Sequence, residues 1–146
     1  MKKLPRTKII RNPSFPKTRM QQPIALPIKK RWKPLCGDAK HWRVGIFSPI
    51  IASRKEVVEF EQHDCPELFM LIEGALTLVV IENGVERQIR LKKNVPVLVT
   101  APHAGFCPNG SHTGKAFVVE RDEFDTMYRS KEDWTSRQKK GAQRHA

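Results

Sequence analysis

The chain has 146 residues, the size of one domain, and a formal net charge of +12. That charge is segregated: residues 1–34 hold eleven Lys/Arg and no acid, residues 129–146 hold six Lys/Arg and two acids, and residues 35–128 hold ten Lys/Arg against thirteen Asp/Glu, so the middle is mildly acidic. No apolar run reaches the roughly 18 residues that cross a bilayer, no apolar h-region follows the basic start, and three cysteines without a CxxC pair argue against a disulfide framework; the cytoplasm is the expected compartment, with a transit peptide matching the start in charge but poorly in its prolines.

Residues 1–34 carry Pro5, Pro13, Pro16, Pro23, Pro27 and Pro34 with few apolar side chains, too little to offset the entropy of ordering. They are expected to form a basic arm, partly disordered, in which Gln22 to Ile28 lies as an extended edge on the folded part or holds two copies together. The domain proper spans 35–128, and 129–146 is a basic tail. Trp42 to Phe47, Val57 to Glu61 and Leu68 to Ile72 read as strands. Leu76 to Ile81 is apolar on both parities, which predicts a strand covered on both faces. Asn83-Gly84 then supplies the positive φ angles of a two-residue hairpin turn. On the return strand, Val85 to Leu91, the residues Val85, Arg87, Ile89 and Leu91 share a face. Val95 to Thr100 and Lys115 to Glu120 read as further strands, with a Gly- and Pro-containing loop over 102–114. Arg121 to Trp134 reads as a short helix or an irregular lid. Short strands with turn signals every eight to twelve residues predict an all-β sandwich or barrel.

The residues with chemistry gather around Glu61-Gln62-His63-Asp64-Cys65-Pro66-Glu67, just ahead of the apolar strand that ends at Gly74, and around His103, which follows a second apolar run. Imidazole nitrogen and carboxylate oxygen suit Zn, Fe, Mn, Ni or Cu. If the chain stays extended, positions 61, 63, 65 and 67 share one face, although Pro66 can break that parity. Two sheet segments ending in such groups point to one site within a small barrel.

The spacing His63, three residues, Glu67, six residues, Gly74 resembles the second half of the first cupin motif. Glu61 stands where that motif has its first His, and the leading glycine is missing. Of the second motif, Leu98-Val99-Thr100-Ala101-Pro102-His103 keeps the His, with Asn109 six residues on. The resemblance covers roughly 42–121. It implies a double-stranded β-helix (jelly roll), commonly dimeric, whose ligands point into the barrel. The implied metal set is His63, Glu67 and His103, with Glu61 as a fourth ligand or a general base.

Two His and one or two carboxylates leave coordination positions open for substrate or dioxygen. The expected protein is therefore a metalloprotein holding a divalent transition metal. It is an enzyme of dioxygenase, isomerase or lyase type acting on a small polar or anionic molecule, or else a non-catalytic barrel binding a small ligand. Among Arg43, Arg54, Arg87 and Arg121, Arg87 is the one expected inside, by parity, to orient an anionic substrate. Cys65 shares the parity of His63 and Glu67 and is either an activated thiolate or a small buried hydrophobe. His112, on its glycine-containing loop, either closes over a substrate or is solvated. The tails add a weak, salt-sensitive affinity for nucleic acid as a further reading. A homodimer is the expected assembly, and no membrane contact is expected.

Overall fold

The computed structural model of the chain describes residues 5–10 and 18–136, without the side chains of 8–10, as two antiparallel sheets packed face to face. In chain order the strands are β1 (Arg6–Ile10), β2 (Trp32–Asp38), β3 (Trp42–Phe47), β4 (Phe60–His63), β5 (Glu67–Glu73), β6 (Thr77–Glu82), β7 (Val85–Arg90), β8 (Val97–Val99), β9 (His103–Phe106), β10 (Lys115–Arg121) and β11 (Phe124–Arg129). One sheet has the order β1-β11-β4-β9-β6-β7 and the other β2-β3-β10-β5-β8. A single 3-10 turn, Arg54–Glu56, and a short helix over 131–136 complete the described elements. None is a helix long and apolar enough to cross a membrane.

The space between the sheets is filled by Phe47, Phe69, Leu71, Leu76, Leu78, Val80, Val99, Ala116 and Val118. β6 explains the two-parity pattern. Leu78 and Val80 enter that core, while Val79 and Ile81 lie in a second cluster on the outer face with Val57, Phe60, Phe106 and Trp134. The outer face of the other sheet has its own cluster of Leu35, Val44 and Ile46. Asn83 (φ 51) and Gly84 (φ 76) turn the β6–β7 hairpin in the left-handed region that a type I′ turn requires. Gly74 sits at φ 64, and a Cβ there would stand 2.0 Å from the Thr113 carbonyl oxygen, so the glycine after β5 is imposed both by conformation and by space.

Several elements differ from the sequence expectation. Gln22 to Ile28 forms no strand; the pairing from the N-terminal stretch comes instead from β1, which pairs with β11, and from β2, which pairs with β3. The 102–114 stretch contains β9, which pairs with β6 and β4. Within the region read as a helix or lid, 124–129 form β11, whose Phe124, Thr126 and Arg129 are buried, and helix begins only at 131. The expected basic arm and tail fall partly on residues 1–4, 11–17 and 137–146, His145 among them, which lie outside the described residues.

Candidate metal centre

One transverse row organises the inner face of the six-stranded sheet. Tyr128 on β11 pairs with Glu61 on β4, Glu61 with His103 on β9, His103 with Val80 on β6, and Val80 with Arg87 on β7. The next row places His63 beside Thr126. The facing sheet contributes Glu67 from the start of β5, and Glu120 and Arg43, which are partners across β10 and β3. Because the Leu68–Val119 pair is the last of the β5–β10 register, Glu67 and Glu120 occupy the next step together.

His63 and Glu67 do not share a strand face. The chain leaves one sheet after His63 and enters the other at Glu67, so the two side chains meet across the barrel. Asp64 fixes this crossing. Its carboxylate accepts from Arg121 (2.8 Å) and from the Asp125 N–H (3.1 Å), and its own N–H donates to the Asp125 carbonyl (3.1 Å). Cys65 is carried past the site by the same crossing. It is buried, and burial pushes its thiol up, the opposite of an activated thiolate.

The cluster is tight. Glu67 Oε2 lies 2.8 Å from His103 Nε2 and 3.1 Å from His63 Nε2, and His103 Nε2 lies 3.8 Å from Glu61 Oε1. The His63, Glu67 and Glu120 ligand atoms lie within 4.8 Å of one another, as do those of Glu61, His63 and His103. The outer nitrogens are already engaged: His63 Nδ1 is 2.6 Å from Thr126 Oγ1, and His103 Nδ1 is 3.0 Å from the Ala101 carbonyl oxygen. A carbonyl only accepts, so His103 Nδ1 carries a proton and Nε2 is turned inward, 2.8 Å from Glu67 Oε2. In the protonated ring Nε2–H donates to that oxygen; in the neutral ring the two buried atoms face each other with no hydrogen bond between them. In either state the pair calls for a positive charge between them, a proton or a metal ion.

The electrostatics state the same demand. Burial works to lower His103, but the Glu67 and Glu61 charges outweigh it and raise the ring to about 9. Burial works to raise Glu67, and the two facing imidazoles more than offset it, holding the carboxyl well below its usual range. Glu120 is pushed up to about 8 by burial and by the Glu67 charge, against the opposing pull of Arg43, whose Nε donates to Glu120 Oε1 at 2.7 Å. Burial and the Glu61 charge push Tyr128 up to about 12.

Of the sequence candidates, Glu61, His63, Glu67 and His103 stand together. Arg87 does not join them. Parity puts it on the inner row, but β7 is the edge strand of its sheet. Its side chain is 53% exposed and pairs with Glu82 at 2.9 Å. Arg54 pairs with Glu86 and Arg121 with Asp64, leaving Arg43 as the candidate arginine inside the cluster. His112 is tied down, its Nδ1 2.9 Å from the Ser48 carbonyl oxygen and its N–H donating to Pro49 O. Glu120 and Arg31 escaped the sequence reading. The signal for Glu120 was available: it continues the inward parity of Ala116 and Val118 as a carboxylate on an apolar face.

Two cavities reach the cluster. One of about 320 Å³ is lined by His63, Glu67, Glu120, Arg43 and Phe124, among others. The second, about 170 Å³, runs along Pro49, Ile50, Ile51, Val57 and Val58 to His103. Arg31, Phe47, Glu61 and Tyr128 line both.

No protein-family model matches the sequence, and no curated protein matches it. Solved structures do. Hydroxypropylphosphonic acid epoxidase from S. wedmorenis is similar with a TM-score of 0.52 and 15% identity, over 77% of this chain and 63% of that one. The Fe(II) form of HppE gives 0.51 and 11% identity, over 72% and 58%. A cupin-2 domain containing protein from Shewanella frigidimarina gives 0.47 and 17% identity, over 64% and 83%. The chain thus spans about three-fifths of the epoxidase and HppE chains. At these identities the likeness is one of fold.

Proposed function

We propose that this chain, which has the cupin jelly-roll fold, is a metal-dependent enzyme acting on a small polar or anionic molecule. One observation carries the reading: two buried imidazole Nε2 atoms, of His103 and His63, stand 2.8 and 3.1 Å from one buried carboxylate oxygen, Glu67 Oε2, within the barrel. His63, Glu67 and His103 would hold the ion, with Glu61 or Glu120 as a further carboxylate. The donor set of imidazole nitrogen and carboxylate oxygen fits Fe, Mn, Ni, Zn or Cu. HppE, a fold neighbour, is described in an Fe(II) form. A divalent ion in this place supplies Lewis acidity and open positions for a substrate or dioxygen.

The chain's own groups do the remaining work. Thr126 and the Ala101 carbonyl hold the two rings with Nε2 turned inward, which orients both nitrogens before any ligand arrives. Glu61, half-buried at the junction of the two cavities, is placed to take a proton from a bound molecule. Phe124 packs against the His63 ring and Phe69 against the His103 ring, giving each imidazole an apolar neighbour. Such an arrangement would serve dioxygenase, isomerase or lyase chemistry.

Elemental analysis of tag-free protein tests the reading. The expected result is about one transition-metal ion per chain in the wild type and none after His63→Ala with Glu67→Ala. A wild-type chain that stays empty after incubation with each of the five metals would overturn it.

A further inference from the structure

Arg31 is the cation at the mouth of the site. Its backbone is pinned, since the Ser48 N–H donates to the Arg31 carbonyl at 2.9 Å, next to the Trp32–Phe47 pair that begins the β2–β3 ladder. Its guanidinium lies 5.5 Å from the Phe47 ring centre, along an aromatic face. The approach of Nη2 to Glu61 Oε1 is 3.6 Å, an ion pair too long for a hydrogen bond, and the side chain is 56% exposed. Arg31 is therefore anchored at its base, charged, half exposed, and part of the lining of both cavities.

The other cations near the cluster are committed. Arg43 is buried and spent on Glu120 at 2.7 Å. Arg6 pairs with Glu59 at 2.6 Å and lies 4.3 Å from the Tyr128 ring centre, so its charge is neutralised beside the mouth. Both Arg6 and Arg31 come from the first 34 residues, a stretch with no acid of its own. The distances also set a length scale. Glu61 Oε1 stands 3.6 Å from Arg31 Nη2 and 3.8 Å from His103 Nε2, so the anion-binding and candidate metal-binding ends of the site are separated by one carboxylate.

We propose that Arg31 is the substrate-recognition residue of this site. It takes the carboxylate of a short organic acid whose second oxygen function, two or three bonds away, reaches the His63–Glu67–His103 cluster. The proposal rests on the metal-site reading above and adds the substrate class to it. A planar guanidinium matches a carboxylate with two parallel donors, which a lysine does not. When the acid takes Arg31, Glu61 loses its ion-pair partner and turns to the cluster and the bound molecule. The uneven cavities fit the same picture, since the narrower one offers Pro49, Ile50, Val57 and Val58 to a short apolar substituent.

The probes are glycolate, lactate and 2-hydroxybutyrate, each beside its neutral amide, titrated calorimetrically into the full chain with metal content measured on the same samples. The proposal expects at least one acid to bind about tenfold or more tightly than its amide, that preference to vanish in Arg31→Ala, and Arg31→Lys to recover only part of it. Metal content should be unchanged in both variants, and Arg87→Ala should bind as the wild type does. Equal binding of acid and amide, acid binding that survives Arg31→Ala, or no acid bound by the wild type each overturns the proposal. The metal reading fails separately, by an empty wild-type chain. In that case the same titrations on the metal-free protein still decide Arg31, because its ion pair with the carboxylate does not require the metal.

Discussion

His103 sets the sign of the pH effects at this site. In the metal-free chain a proton fills the gap between His103 Nε2 and Glu67 Oε2, and the ring is held up to about 9. Its contribution to stability is therefore complete below 6.5, the ordinary histidine value, and disappears as pH rises through about 9. Glu67 runs the other way: held below its usual range, it contributes above 4.5 and loses that contribution as pH falls through its low folded value. A metal entering the cluster must displace the His103 proton, so the apparent Kd should fall about tenfold per unit between pH 6.5 and 8.5. Competition against a chromophoric chelator at four pH values measures the slope. His103→Gln should flatten it, and a flat wild-type curve would separate His103 from the metal. Arg43 gives a second test. Removing it in Arg43→Met leaves Glu120 facing Glu67 without its cation; the loss should be about 1–3 kcal/mol at pH 6 and larger at pH 9, above the value near 8 at which Glu120 charges. Denaturant melts at the two pH values give the difference.

At the scale of elements, strands were legible wherever the pattern was strong. Trp42 to Phe47 reads correctly because it is continuous and bounded by a turn, and the β6–β7 hairpin because Asn83-Gly84 admits one turn geometry. β9 was hidden because His103-Ala-Gly-Phe lies between prolines, where local signals favour a loop, while its pairing comes from distant β4 and β6. β11 was hidden because its aromatic spacing imitates a helix, although Phe124, Thr126 and Tyr128 do alternate. Gly45 shows how one strand position shapes the cavity: a Cβ there would stand 2.3 Å from Trp32 Cη2, so the indole lies flat on the glycine and forms part of the cavity wall. Gly45→Ala should lift the ring at a cost of about 1–3 kcal/mol, the usual range for overpacking. Tryptophan fluorescence together with a denaturant melt would detect it, and an unchanged emission spectrum with unchanged stability would show that the wall yields elsewhere.

At the scale of the molecule, the order of ligands along the chain was readable but their placement on two sheets was not. His63 and Glu67 are four residues apart, which suggests one face of one element, yet the crossing at 64–66 sends them to facing sheets. Glu61, His63 and His103 stand on the six-stranded sheet; Glu67 and Glu120 stand on the other. A metal in this cluster would tie the two sheets together, since each supplies ligands to it. Binding confined to the folded state stabilises by about 2.7 kcal/mol at a free metal concentration of 100 Kd. For a chain of this length that corresponds to a rise in Tm of about 5–10 °C. The rise should grow with pH from 6.5 to 8.5, following the proton that leaves His103, and should be abolished in the double variant His63→Ala with Glu67→Ala. Loss of either ligand alone should remove most of it, because each sheet supplies one side of the clamp. Calorimetric scans with and without metal at two pH values provide the comparison. A shift that persists in the double variant would place the metal on the surface, where the exposed carboxylates offer weaker, pH-insensitive binding.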